Sequence, residues 1–207
     1  MTVTDIKKKR KGLSGLYIDH EFALDIDTET LLSHKIDIGI VIDDEKLHEL
    51  IEHSNIKRAE DKAMWLISYR DYSKKEITEK VAKESSTDAA KRAVERLCEL
   101  GLINDEKYAK RYAHDLLFIK HLSKQGALRK LREKGIDKDL AEITLDSFEI
   151  DYSENIRAII DKKYAKNLFD EKGKRRCVNA LLRLGYSYSD INSVLREYTD
   201  SDSYEYY

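Results

Sequence analysis

The 207-residue chain contains no proline, eight glycines, two cysteines and one tryptophan. Average chains carry about 5% proline, so its absence argues against turn-dense all-β folds and collagen-like repeats. Cys98 and Cys177 are too few for a disulfide framework, and neither belongs to a CxxC pair. They point to a reducing, cytoplasmic compartment. No stretch reaches the roughly 18 uncharged apolar residues that read as a membrane span. The start, MTVTDIKKKRK, lacks the apolar segment of a secretory signal. Phosphate-cradling GxxxxGK[ST], dinucleotide GxGxxG and nucleophile-elbow GxSxG patterns are all missing. In their place stand 38% charged and 41% hydrophobic residues, with 13 tyrosines. That composition describes helices with solvated faces around a real core.

Net charge is −2, unevenly spread. Residues 1–55 carry 7 Lys/Arg and 12 Asp/Glu, residues 56–196 carry 31 and 24, and the last eleven carry none and 4. A mildly basic middle is flanked by acidic ends.

The first 54 residues predict a small β-rich cap. Gly12 and Gly15 flank a turn in KKKRKGLSGLYID, and Phe22–Asp27 alternates apolar and acidic residues with the period of a half-buried strand. Asp27 and Thr28 cap a short helix through Leu31 and Leu32. Ile36–Ile42 is β-branched but broken by Gly39, and Asp43 and Asp44 open a helix carrying Leu47, Leu50 and Ile51. From residue 56 the spacing is helical: Ile56, Ala59, Ala63, Leu66, Ile67 and Arg70. Ser73, with Glu76 three residues on, forms a capping-box pattern. Ser86 or Thr87 starts the next helix, which stops at Gly101.

The same programme recurs at an offset of 50 residues. Ala63 matches Ala113, Leu66 matches Leu116, and Ser73 matches Ser123 and Gly173. Lys74, Lys124 and Lys174 align, as do Val81, Leu131 and Leu181. Lys80 matches Lys130, Gly135 matches Gly185, and Leu145 matches Leu195. The sequence predicts a mainly α fold of three tandem three-helix repeats over 55–104, 105–152 and 153–199, forming an elongated curved array behind the cap at 1–54. The second repeat's first helix runs from near Asp105 through Tyr108, Tyr112, Leu116 and Ile119, and its third carries Leu140, Ile143 and Leu145. Ser187 or Ser189 caps the last helix. Residues 200–207 read as an acidic, disordered tail.

These elements resemble one family. Leu97–Ala109 (LCELGLINDEKYA) is similar to the L-x-x-L-G-Y-[LI]-[ND]-D-x-x-Y-A signature of the bacterial recombination regulators of the RecX family. Ser73–Ile77 resembles its S-R-x-E-L element, Leu128–Ile136 its L-R-x-K-G-I element, and Leu181–Ile191 its C-terminal L-x-R-[RK]-G-F-x-x-x-x-I element. The likeness spans about residues 55–196. Ser85 stands where the family often has Gly, and Leu184 where it often has a basic residue. The resemblance implies a non-enzymatic protein without cofactors, acting in homologous recombination, DNA repair and the SOS response. Its implied partners are the RecA filament and single-stranded DNA, with weak binding to double-stranded DNA. It would act as a monomer that modulates, in the inhibitory direction, ATPase, strand-exchange and co-protease activities. A stand-alone nucleic-acid-binding protein built of helix-turn-helix-like units is the competing reading.

No catalytic or metal residue is assigned. His48 and His53 in HELIEH are five apart, and five residues turn a helix about 500°, leaving the two side chains about 140° out of line. Basic residues recur instead as candidate filament and DNA contacts. They are Arg70, Lys74 and Lys75 in the first repeat, and Lys120, Lys124, Arg129, Lys130 and Arg132 in the second. Lys172, Lys174, Arg175, Arg176 and Arg183 complete the set in the third. Lysine at the start of each second helix opposes the helix dipole, so a repeated Lys74/Lys124/Lys174 suggests an external anion. Tyr108, Tyr112, Tyr164, Tyr186 and Tyr188 lie among these cations, suited to an interface, to stacking on bases or to core packing.

Overall fold

The computed structural model describes residues 1–168 and 170–200, with side chains as far as residue 198. The acidic tail expected over 200–207 lies outside the described residues except for Asp200, whose backbone closes the last helix. The chain divides into two compact units, Met1–Asn104 and Asp105–Tyr207.

In the first unit, β1 (Val3–Lys8), β2 (Leu13–Ile18) and β3 (Glu21–Asp27) form an antiparallel sheet in the order β1-β2-β3. The first turn falls at Lys11 and Gly12, both left-handed (φ 60° and 70°), while Gly15 sits inside β2. The expected turn flanked by Gly12 and Gly15 is thus half right: the basic run KKKRK ends a strand and makes the turn. Residues 36–42 form no strand. They lie beside the start of β1 through single bonds, such as Val3 N–H to Ile40 O at 2.9 Å, because Gly39 turns the chain at φ 90°.

Helix α1 (Thr28–Ser33) is capped by Asp27, whose carboxylate accepts from Thr30 N. Helix α2 (Asp44–Ile67) is capped by Asp43 and runs 24 residues without a break. It passes straight through position 54/55, where the sequence pattern separates two helices. Its N-terminal half buries Leu50 against Val3, Leu16, Ile26 and Leu31. Its C-terminal half presents Ala59 and Ala63 to α3 (Lys74–Val81) and α4 (Thr87–Glu99), with Ile77, Val81, Ala90, Val94 and Leu97 completing a second core. Alanine on both α2 and α4 lets the two helices lie close. Ser73 and Ser86 cap α3 and α4 through their hydroxyls. Where the family often has a glycine stop, Ser85 Oγ donates to Val81 O at 3.0 Å and satisfies one of the helix's last carbonyls.

The second unit holds α5 (Asp105–His114), a π-helical turn over Asp115–Ile119, α6 (Lys124–Glu133) and α7 (Lys138–Asp146). It continues with α8 (Tyr152–Lys163), a 3-10 turn at Ala165–Asn167, α9 (Glu171–Arg183) and α10 (Tyr188–Asp200). The π turn overturns one expectation. Ile119, placed on the inward row by spacing, is 65% exposed, whereas Leu116 and Leu117 are buried. The wider turn shifts the face presented to the core. Ile143, also expected inward, is 70% exposed. Ser187 is the cap of α10, accepting from Asp190 N and donating to its carboxylate.

Each of these three-helix sets has its own core, one around Leu116, Leu131 and Leu145, the other around Ile156, Leu181 and Ile191. Tyr152 and Leu184 pack against both. The two sets meet where the start of α6 abuts the turn after α9. Ser123 N–H donates to Leu184 O at 3.2 Å, and Tyr186 Oη donates to His121 O at 2.8 Å. A Cβ on Gly126 would lie 2.0 Å from Leu184 O, and one on Gly185 2.5 Å from Gly126 N. Gly185 is also left-handed, at φ 94°.

Alanine scanning of the glycine stops tests this joint. Gly101 and Gly185 are both left-handed, but a Cβ at Gly101 meets nothing within 4 Å. Chemical denaturation is expected to show a cost of about 1 kcal/mol for Gly101→Ala, the strain of the backbone alone. Gly185→Ala is expected to cost at least about twice that, since backbone must also move. Equal costs would show that the close approach is not a constraint.

Candidate functional site

The thirteen candidate cations fall into three groups. In the first repeat they are largely engaged. The Arg70 guanidinium stacks 3.7 Å from the Tyr72 ring centre and lies 3.5 Å from Glu76, while Lys74 and Lys75 each face a glutamate, Glu95 and Glu79, at 3.9 Å. In the second repeat Lys124 is bonded to Asp146, which holds its ammonium above the usual lysine range. Lys130 meets Glu133 at 2.7 Å, Arg129 donates to Arg183 O at 3.1 Å, and Lys120 lies over the Tyr112 ring. Arg132 is exposed on α6. Exposed pairs of this kind contribute about 0–1 kcal/mol, so an incoming anion displaces them at little cost.

The third repeat is different. Lys172, Arg175 and Arg176 are exposed on α9, while Lys174 lies 3.6 Å from Glu171 and Arg183 bonds back to Asn179 O. Lys172, Lys174 and Arg175 line a cleft of about 820 Å³ between α9 and α10, closed on its other side by Tyr188, Asn192, Leu195 and Arg196. Four cations face one carboxylate, Glu171, in this cleft. Val178 and Leu195 form its apolar floor, and the Tyr188 ring, 61% exposed, stands at its rim. Guanidinium forks, ammonium groups and an exposed aromatic edge suit phosphate or carboxylate groups on an extended partner. Arg176 and Arg183 do not line it. Arg196 and Asn192 are functional candidates that charge clustering missed. Their signal lay in helical spacing from Tyr188, at four and eight residues along α10.

One expectation fails here. Lys174 does not open its helix as Lys74 and Lys124 open theirs. The cap of α9 is Asp170, three residues before Gly173, and Glu171 occupies the first position. Helix α9 keeps the 50-residue offset at its end, at Gly185, but starts about one turn early. The dipole argument therefore holds for α3 and α6 alone.

A second hollow, about 580 Å³, lies in the first unit among Lys11, Arg58, Lys62 and Trp65, but Asp27, Asp61 and Glu84 also line it, and Lys62 bonds Glu84 at 2.6 Å. Its charges are compensated. Tyr108 and Tyr186 of the tyrosine set are core residues. Cys177 is fully buried, and desolvation pushes its thiol up to about 11, as a small hydrophobe should behave. Cys98 is half-buried.

Comparison with known proteins places this arrangement. Family models described as the second and third three-helix domains of RecX match residues 104–145 and 149–195, the latter covering every residue of the cleft lining but Arg196. The regulatory protein RecX of Clostridium acetobutylicum is 30% identical over 208 residues, covering 95% of each chain. The chain belongs to the RecX family. Its relative in Lactobacillus delbrueckii subsp. bulgaricus, also named a regulatory protein, is 29% identical across 92% of this chain and 72% of that one. A crystal structure of regulatory protein RecX shares the fold with a TM-score of 0.65 at 21% identity, covering 93% of this chain and 98% of the other. RecX from Lactobacillus salivarius gives 0.58 at 23% identity, covering 70% and 97%. The relatives are named regulatory proteins, not enzymes. No helix among the described residues is long and apolar enough to cross a membrane.

The Lys124–Asp146 pair yields a direct test of how the paired cations contribute. Asp146 ends α7, where a negative charge opposes the helix dipole, so Asp146→Asn is expected to fold normally. It frees Lys124, and binding to heparin or single-stranded DNA should tighten, with the salt dependence steeper by about one ion. Weaker binding in the variant would remove Lys124 from the candidate contacts.

Proposed function

We propose that this RecX-family chain binds the RecA recombinase filament assembled on single-stranded DNA and restrains its ATP hydrolysis, strand exchange and co-protease activities. The observation that carries the reading is the cleft between α9 and α10, where four cations face one carboxylate and three of the four, Lys172, Lys174 and Arg175, lie inside the segment matched by the third RecX domain model. Lys172 and Arg175 would contact an acidic protein surface or the DNA backbone, Arg196 would close the far wall, and Tyr188 would cover the contact from water. Basic residues on the second repeat would add further contacts. Several modest contacts along a repeating filament multiply into avidity, because each bound repeat raises the local concentration of the next. Tethering neighbouring subunits would oppose the movements coupled to ATP turnover.

Titration of the cognate RecA ATPase on single-stranded DNA tests this. Hydrolysis is expected to fall as the protein approaches stoichiometry with RecA, with weak binding to bare DNA in the parallel control. The double variant Lys172→Glu/Arg175→Glu is expected to need at least roughly tenfold more protein for half the effect, while Lys91→Glu on α4 matches the unmodified chain. Unchanged hydrolysis at stoichiometric protein overturns the proposal. Tight, steeply salt-dependent binding to bare DNA without effect on RecA favours a stand-alone nucleic-acid-binding protein.

A further inference from the structure

The first unit gathers two histidines and a carboxylate from separate stretches of chain. His34 is the C-cap of α1, its backbone N–H held by Thr30 O at 3.1 Å. Glu49 and His53 stand one turn apart on the same face of α2. Nε2 of His34 lies 2.6 Å from Nδ1 of His53, and Nδ1 of His34 lies 3.7 Å from a Glu49 oxygen. One ligand atom from each of the three residues falls within 4.8 Å of the others. The scaffold beneath is packed and hydrogen-bonded. Leu31 of α1 and Leu50 of α2 share a core, and the residue after His53, Ser54, accepts the Asp27 N–H at 2.8 Å. Two imidazole nitrogens face each other this closely only when they share a proton or a cation. The Lys46 ammonium sits 3.0 Å from His34 Nδ1 and 2.8 Å from the other Glu49 oxygen, so it already offsets part of the Glu49 charge.

We propose that His34, Glu49 and His53 form a site for one zinc-class divalent metal ion. His34 Nε2, His53 Nδ1 and a Glu49 oxygen are the protein ligands, and water is the fourth. Two imidazoles with one carboxylate suit zinc and its neighbours, whereas calcium and magnesium call for oxygen-dominated shells. Metal–ligand bonds of about 2.0–2.2 Å put tetrahedral ligands roughly 3.3 Å apart. The rings therefore separate by less than about 1 Å, a movement open to the exposed His53 side chain. Lys46 keeps its bond to the second Glu49 oxygen. Bound metal would pin the end of α1 to the middle of the first half of α2. His48, which helical spacing already turns about 140° away from His53, is exposed and outside the group.

The test uses the full chain, free of affinity tag and stripped of metal. Titration calorimetry with Zn²⁺ is expected to give one ion per chain. His34→Gln and His53→Gln should each weaken binding at least roughly tenfold, and His48→Gln should leave it unchanged. Co²⁺ should give the visible bands of tetrahedral coordination in the unmodified chain and lose them in His34→Gln. Zn²⁺ should also raise the thermal midpoint of the unmodified chain but not of His53→Gln, with circular dichroism confirming that the variants are folded. Glu49→Gln provides a third variant should either histidine change unfold the chain. Absence of stoichiometric binding, or His34→Gln binding as tightly as the unmodified chain, overturns the site.

Discussion

The second unit depends on one close approach of backbone to backbone. The start of α6 presses against the turn that follows α9, and only glycine fits on both sides of the contact. At Gly126 a side chain would run into the Leu184 carbonyl, and at Gly185 into the Gly126 amide. Glycine in a first helical turn costs roughly 1 kcal/mol against alanine, so its presence at Gly126 reflects the approach and not local preference. The contact also joins opposite ends of two helices. The Ser123 amide, at the positive end of α6, donates to the Leu184 carbonyl, at the negative end of α9. Tyr152 and Leu184 then fill the space beside the joint and make the two cores continuous. The departure from the family pattern at Leu184 follows from this place: its side chain belongs to the core, and its carbonyl is the acceptor.

The charges follow a similar division between what the helix wants and what lies outside it. Lysine at the first position of α3 and α6 opposes the dipole by some tenths of a kcal/mol each. Glu95 and Asp146, brought in from the third helix of the same repeat, offset this. In α9 an added turn places Asp170 and Glu171 where the dipole prefers them, and its cations move inward along the helix to face α10. Of these cations Lys174 meets the first-turn Glu171 at 3.6 Å, while Lys172 and Arg175 line the same cleft. The result is the one cleft described here in which basic side chains outnumber acidic ones four to one.

Much of this was legible in the sequence because caps and stops are local. Asp27, Asp43, Ser73, Ser86 and Ser187 act where their side-chain chemistry says they should, and Gly101, Gly135 and Gly185 all take the left-handed conformation that ends a helix. What escaped was non-local. Strands β1 and β2 carry DIKK and LSGLY, whose pattern favours no period; pairing of β1 with β2 and of β2 with β3 decides them. Continuity of α2 across residue 54 rests on two different cores, each burying a different half, so the change in composition marks a change of neighbour and not a break. The third repeat kept its offset at Leu181 and Gly185 but gained a turn at its start, which a fixed offset cannot register. The His34–His53 approach joins residues 19 apart on two helices, beyond the reach of any spacing rule.

The π-helical turn links these features into one chain of cause. An α-helix continued from α5 would carry residues 115–123 along a straight axis. The wider turn instead leaves Leu122 N–H bonded to Leu116 O at 2.9 Å and turns the chain sharply at His121, φ 50°. That conformation is unfavourable for most residues, though histidine tolerates it better than many, and it is held by three contacts. Tyr186 Oη donates to the His121 carbonyl, while Asn155 meets the His121 ring through Oδ1 and the Leu117 carbonyl through Nδ2. Both partners come from the following repeat. Ser123 is thereby delivered to Leu184, α6 is set against the α9–α10 turn, and the start of α10 is held by Tyr186, two residues before Tyr188. The wall of the basic cleft is thus positioned by an irregular turn in a different repeat, which ties the orientation of the cleft to the packing of the repeat before it.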